Sequence, residues 1–248
     1  VKVEGKLAVV TGGSAGIGLA ITKALRTAGA DVLIVGRNGA RLQAVQDIDP
    51  HIRTVTADLR DSAERTRLVD QLSGGRPLDI LINNAGTMTR IDLRDSTAQT
   101  VMDDEVAVDL LAPMHLSIAL LPLLLDRSEG AIVNVTTGLI YAPLAANPGY
   151  SAAKAGMHAF TQALRQQTRK GRLQVMEVLP PTVDTELTRG YGGPKIAPAA
   201  VGKAVVRGLT TGRTELRIGQ VKFLYPMSRL MPNGTFSIMN RFVTQEQN

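Results

Sequence analysis

Short runs of almost unbroken apolar residues recur along this chain, and stretches of helical spacing separate them. Leu7-Ala8-Val9-Val10 is the first run, after which Ile17, Ile21, Ala24, Leu25 and Ala28 fall three or four residues apart. Gly29 stops that helix, and Val32-Leu33-Ile34-Val35 follows. Val55 to Ala57 is a weaker strand, whereas Ile80-Leu81-Ile82, Ala131 to Val135 and Val175 to Leu179 are clear ones. A strand apolar on both faces must be covered on both. The pattern therefore constrains the chain to an α/β fold, a parallel sheet between layers of helices. No segment repeats and no Ser/Gly/Pro linker divides the first 180 residues, so residues 1–248 are expected to form one domain. Residues 182–198, rich in Gly and Pro, are expected to be an irregular insertion; loops of that length are usually functional.

Composition narrows the partners. The formal charge is +6, but the basic residues are scattered, and Trp is absent, so a stacking platform for nucleic acid is not expected. There is no Cys, which excludes disulfides and thiolate metal sites and fits a reducing, cytoplasmic setting. No metal site is assigned. The first residues, VKVEGKLAVV, lack the apolar core and cleavage site of a secretory signal. Leu110 to Leu125 is the most apolar run, interrupted by Pro113, His115 and Pro122 and shorter than the roughly 20 residues of a membrane span. It is expected to be a helix buried in protein. The tail, residues 222–248, mixes Phe223, Leu224, Tyr225, Met227, Met231, Phe236 and Met239 with Arg229 and Arg241. Because Pro226, Pro232 and Gly234 are expected to break any helix there, packing as a lid or interface is preferred to membrane-surface binding.

The segment TGGSAGIG, Thr11 to Gly18, lies between the first strand and the first helix. Gly12, Gly16 and Gly18 permit a tight turn and let the backbone amides around Ser14, Ala15 and Ile17 approach a pyrophosphate at the helix N-terminus. The second strand ends Val35-Gly36-Arg37. A carboxylate there would bind a ribose 2′-hydroxyl and repel a 2′-phosphate; Arg37 can instead grip a phosphate, with Ser14 adding a hydroxyl. The expected cofactor is NADP(H) rather than NAD(H), unless Arg37 is a solvated surface residue. Asp58 and Leu59 close the third strand, where an acid can accept a hydrogen bond from an adenine amino group. Asn84, Ala85 and Gly86 end the fourth and leave room beside a ribose. Each of these two sites also reads as a turn with its own side-chain bonds.

Tyr150 and Lys154 are four apart on an expected helix and share a face. A nearby ammonium is expected to lower the tyrosine pKa and make it an acid or base near neutrality. Tyr141 has no such partner four residues on, where Ala145 stands.

TGGSAGIG, Asp58, NNAG, IVNV, YSAAK and Pro-x-x-Val-x-Thr occur in the order and spacing of the short-chain dehydrogenase/reductase family, which residues 5–185 resemble. NVTTGLIYAPLAANPGYSAAK and EVLPPTVDTEL further resemble the DltE-like bacterial oxidoreductases, a subgroup named for an enzyme encoded with lipoteichoic-acid alanylation genes. The resemblance implies a Rossmann fold, a doubly wound sheet of about seven strands in the order 3-2-1-4-5-6-7. It implies a carbonyl reductase or alcohol dehydrogenase acting on a small carbonyl, alcohol or imine, in a homodimer or homotetramer paired partly through the apolar helix. Tyr150 would be the acid/base, Lys154 the residue that orients the nicotinamide ribose, and Thr137 the hydroxyl on the substrate oxygen. Pro180, Val183 and Thr185 would border the carboxamide.

Three positions depart from the family pattern. Thr137 replaces a serine and keeps the hydroxyl; Thr136, its neighbour on an extended segment, should point the other way. Asp109 replaces an asparagine that holds a relay water, and is expected to pair with Lys154 and weaken its pull on Tyr150, unless it ion-pairs elsewhere. Pro181 replaces a glycine and stiffens the loop. These changes leave open an imine reductase, a non-redox enzyme, or a catalytically silent NADP(H)-binding protein on the same scaffold.

Overall fold

The computed structural model describes residues 1–244. Seven parallel strands form one sheet in the order β3-β2-β1-β4-β5-β6-β7. They are β1 (Leu7–Thr11), β2 (Asp31–Gly36), β3 (Arg53–Thr56), β4 (Ile80–Asn83), β5 (Ala131–Val135), β6 (Gln174–Leu179) and β7 (Glu215–Arg217). Val9 pairs with Leu33 on one side and Leu81 on the other, which places β1 and β4 together at the centre. Every residue of β1, β4 and β5 is buried, as both-face coverage demands.

Two apolar layers provide that cover. On one face, Ile21 and Leu25 of α1 (Gly16–Thr27), Leu42 of α2 (Gly39–Ile48) and Val201 and Val205 of α7 (Pro198–Thr210) pack on Val10, Ile34 and Val133. On the other, Leu68 and Leu72 of α3 (Ser62–Ser73), Leu116, Leu120 and Leu124 of α5 (Ala112–Leu125) and Leu164 of α6 (Pro148–Thr168) pack on Val9, Leu81 and Ile132. Each such leucine stabilises the fold by roughly 1.5–3 kcal/mol. Capping fixes several helix starts: Asn38 accepts the Arg41 amide, and Asp61 those of Ala63 and Glu64.

The apolar run beginning at Leu110 differs from its expectation. It is the end of one helical stretch, Ala98–Leu125, made of α4 (Ala98–Val106), a π turn (Ala107–Leu111) and α5. That stretch is long and apolar enough to cross a membrane by length and composition. Only one side of α5 is covered by the sheet; Leu111, Ile118 and Leu125 are exposed.

The tail departs more sharply. It forms α8 (Val221–Leu230) and α9 (Pro232–Thr244), with Pro226 inside α8 and Pro232 at the start of α9. An interior proline costs about 3 kcal/mol locally. Contacts at a distance offset it. Val221 is buried against Gly138, and the Tyr225 ring lies 5.1 Å from that of Tyr141 and 3.7 Å from the Arg217 guanidinium. Residues 245–248 of the expected tail lie outside the described residues.

Candidate active site

Sheet order reverses between β1 and β4, and the crevice at the carboxyl ends of these strands is where open α/β sheets take ligands. The glycine loop stands there. Gly12 and Gly16 have φ of 65° and 51°, a region that favours glycine. A Cβ on Gly18 would stand 2.1 Å from the Gly12 carbonyl oxygen, and one on Gly12 would be 2.9 Å from the Ala85 Cα. Backbone thus packs directly on backbone, leaving a cradle of amides at the start of α1. Ala15 is the extended residue before that helix, Ile17 packs into the apolar layer behind it, and Ser14 lies beside Gly36.

Asn84 does more than leave room. Its side chain donates to the Thr11 carbonyl at 3.0 Å, and the amides of Asn84 and Ala85 donate to the Thr11 hydroxyl at 2.9 and 3.0 Å. Thr11 therefore rivets the β4 end to the glycine loop. Sequence reasoning gave it no role, although a β-strand threonine opening a glycine loop was the available signal. A second buried chain, equally unforeseen, runs from Ser117 through Asn83 and Asn134 to Thr161.

Arg37, just past β2, is exposed and has no ion pair among the described residues. With Arg60, Asp104 and Glu105 it lines a cavity of about 90 Å³. Leu59 is buried in the apolar layer. Asp58 is not the free acceptor expected: Arg60 takes both its oxygens, bridges to Asp104, and holds the Asp58 carboxyl below the usual carboxylate range. Any adenine contact at Asp58 would share it with Arg60.

A second cluster forms at the end of β5 and the first turns of α6. Tyr150 and Lys154, one turn apart on α6, are 8 % and 5 % exposed, and the Lys154 Nζ stands 5.7 Å from the centre of the phenol ring. Thr137, extended at the end of β5, hydrogen-bonds the phenol. Thr136 points away as the strand period requires, donating to Glu177 at 2.7 Å. Lys154 donates to the Val135 carbonyl at 3.2 Å and pairs with Asp109 at 3.0 Å, as expected of that aspartate. Asp109 is fully buried in the π turn, a distortion frequent at functional sites, and accepts the Thr87 amide at 3.0 Å. Gly86 makes room for it: a Cβ there would stand 2.5 Å from Oδ1. Burial pushes the Asp109 carboxyl up, and Lys154 opposes that.

The expected lowering of the Tyr150 pKa is corrected. Burial pushes the phenol well above its ordinary value and the Asp109 charge adds to the rise, against the Thr137 hydrogen bond. Lys154 is neutralised as a field source by the carboxylate it holds. Tyr141 is also corrected. It does have a cationic partner, Arg217 of β7, which donates to its hydroxyl at 3.1 Å.

Residues 182–198 straddle both halves of the crevice. Pro180 accepts the Gly138 amide at its mouth, and Val183 is buried in a bridge with Ile196. Thr185 lies over Gly16, whose added Cβ would meet its methyl at 3.1 Å. Glu186 pairs with Arg41 at 2.9 Å, and the Tyr191 hydroxyl accepts from Asn147 at 2.6 Å while its ring lies 4.2 Å under Arg90.

With this geometry, the chain belongs to the short-chain dehydrogenase family, which it matches over residues 6–193. It is an oxidoreductase of that family. It is 36 % identical to the uncharacterized oxidoreductase DltE of Bacillus subtilis, with 99 % of each chain covered. A short-chain dehydrogenase from Burkholderia cenocepacia, solved in complex with NADP, superposes with a TM-score of 0.86 at 26 % identity, covering 96 % of this chain and 99 % of that one. A Burkholderia phymatum member, solved in complex with NAD, has the same fold: TM-score 0.83, 17 % identity, 97 % of both chains.

Proposed function

We propose that this protein is an NADP(H)-dependent oxidoreductase acting between a carbonyl and an alcohol, with Tyr150 as general acid/base. One observation carries the reading: a buried phenol, hydrogen-bonded to Thr137 and one helical turn from a buried Lys154–Asp109 pair that packs against Gly86 just past the end of β4. The cradle fits a dinucleotide, because the close backbone packing that Gly12 and Gly18 allow holds the amides of the loop at the start of α1. Bound there, nicotinamide supplies the hydride.

This chain's residues do the rest. Thr137 holds the substrate oxygen, Tyr150 gives it a proton or takes one back, and Lys154 holds the ribose while Asp109 steadies the lysine. A phenol pushed upward is protonated at neutral pH, the form that gives a proton, and the Thr137 hydroxyl acts against the rise. Val183, Thr185 and Pro180 border the carboxamide end, and residues 182–198 form the substrate loop of a single domain. Arg37, without an ion pair among the described residues, and Ser14, beside Gly36, favour a 2′-phosphate; the NADP complex of the Burkholderia cenocepacia relative supports the same preference. Asp58, Leu59, Asn84, Ala85 and Gly86 would line the adenosine and ribose. The open side of α5 and the π turn before it, with Leu111, Ile118 and Leu125, supports pairing with a second copy.

The test is loss of NADPH absorbance with a panel of ketones, aldehydes and imines. Ketone or aldehyde turnover that falls by about 10²- to 10⁴-fold in Tyr150→Phe supports the reading. NADPH binding without turnover on any of them refutes it.

A further inference from the structure

Glu105 is a buried charge with no task in the mechanism above. It lies on the last turn of α4, four residues before Asp109, and is 1 % exposed. Its Oε1 accepts the backbone N–H of Thr89, in the loop after β4, at 2.6 Å. Its Oε2 is buried without a fully formed hydrogen bond among the described residues. Gly149 stands in front of that oxygen, and a Cβ there would come within 2.4 Å of it. The next residue is Tyr150, whose own amide acts on the same carboxylate. Thr89 is held from its other side as well: Asn147, immediately before α6, donates to the Thr89 carbonyl at 2.8 Å.

Among the described residues no cation pairs with Glu105. Of the charged groups around the same cavity, Arg60 is bonded to Asp58 and Asp104, and Arg37 stands at the exposed rim. Burying an unpaired carboxylate is costly, and a neutral amide of the same shape would meet the Thr89 N–H without that penalty. A charge kept there points to a use for charge. We propose that Glu105 is a positioning residue for Tyr150, seating its carboxylate between the Thr89 amide and the first turn of α6 and setting a second negative charge beside that of Asp109 near the phenol. The inference rests on the reading of Tyr150 as proton donor.

The electrostatics agree in direction. Burial pushes the Glu105 carboxyl up, the Thr89 amide opposes it, Asp109 adds to it and the Tyr150 amide opposes it. Around Tyr150, burial comes first, then Asp109; the Thr137 hydroxyl acts against them, and Glu105 and Tyr191 add to the rise. Lys154, from the same helix, is held by Asp109. Removing the Glu105 charge therefore makes the phenol more acidic.

Two variants separate charge from seat. Glu105→Gln keeps the volume and removes the charge; Gly149→Ala keeps the charge and forces the carboxylate from its place. The chain has four tyrosines, so ring-labelled tyrosine NMR resolves Tyr150 after assignment by Tyr→Phe substitution. In Gly149→Ala kcat for ketone reduction is expected to fall by about tenfold, as displaced reacting groups do, with an unchanged KM for NADPH. In Glu105→Gln the alkaline limb of the pH profile moves to lower pH and the Tyr150 resonance moves with it. A wild-type resonance and pH limb in Glu105→Gln overturn the proposal, as do a wild-type kcat and resonance in Gly149→Ala should the first variant fail to fold. If the wild type turns over no substrate while Glu105→Gln still displaces the Tyr150 resonance, the contact stands and the proton-donor reading falls.

Discussion

Replacing Asp109 by asparagine removes one charge and almost no volume, at the point where this site departs from its family's pattern. Two unit charges 3.0 Å apart, as in the Lys154–Asp109 pair, attract by roughly 5 kcal/mol at an effective dielectric constant of about 20. The desolvation of a fully buried carboxylate consumes part of that. Removing one partner of a buried pair typically costs about 3–5 kcal/mol. Here the loss should be smaller, about 2–3 kcal/mol, because asparagine still accepts the Thr87 amide and Lys154 keeps the Val135 carbonyl. For a chain of this size that lowers Tm by about 5–10 °C. The functional effect has a definite sign. Asp109 raises the Tyr150 pKa, second only to burial, and its removal also frees the Lys154 charge to act on the phenol. The phenol becomes more acidic. Reduction needs the protonated form and fails as pH rises through the Tyr150 pKa, so its alkaline limb moves to lower pH. Oxidation needs the phenolate, and its rising limb moves the same way. Steady-state rates in both directions across pH, with a thermal melt beside them, provide the check. A lowered Tm with both limbs unmoved would refute the reasoning and leave Asp109 a structural ion-pair partner.

Arg37→Ala should raise the NADPH dissociation constant by about tenfold or more, a charge-assisted hydrogen bond being worth roughly 1.5–3 kcal/mol, and leave NADH unchanged. Nucleotide fluorescence titration reads both. Thr137→Val keeps the shape and removes the hydroxyl that bonds the phenol; kcat should fall by about 10²-fold with NADPH affinity unaltered, measured by single-turnover kinetics. Gly138→Ala places a Cβ 2.7 Å from a Val221 methyl carbon and should loosen α8, with a stability loss of about 1–3 kcal/mol read by urea unfolding. Glu186→Gln releases Arg41 from an exposed pair worth at most about 1 kcal/mol, so Tm, read by a thermal melt, should fall by no more than about 4 °C.

What the sequence discloses and what it withholds divide along one line, the range of the interaction. The apolar runs specify strands because burial on both faces is a local demand, and the opposite facing of Thr136 and Thr137 follows from the two-residue period. The proximity of Tyr150 and Lys154 follows from one helical turn. Gly12 and Gly18 are legible because close backbone approach admits no other residue. Beyond a turn or a strand the signal fades. Arg41 meets Glu186 across 145 positions, and Arg217 meets Tyr141 across 76. Neither encounter leaves a trace in local spacing. Pro226 sits inside α8 because Tyr225 and Val221 find partners on β7 and beside Gly138, which no count of helix breakers foresees.

Charge is the extreme case, because its effect depends on how much water the fold removes. In the run Asp103-Asp104-Glu105 the three acids are alike on paper. The fold leaves Asp103 and Asp104 in solvent and buries Glu105 beside the head of the tyrosine helix. The direction of the Tyr150 pKa inverts for the same reason. The neighbouring lysine was legible, but the burial of the phenol, and the carboxylate that claims the lysine, were not. A lysine one turn away lowers a tyrosine pKa only when its charge is uncompensated and the ring keeps some water. Here the lysine is paired with Asp109 and the phenol is buried, so the proton stays on the phenol.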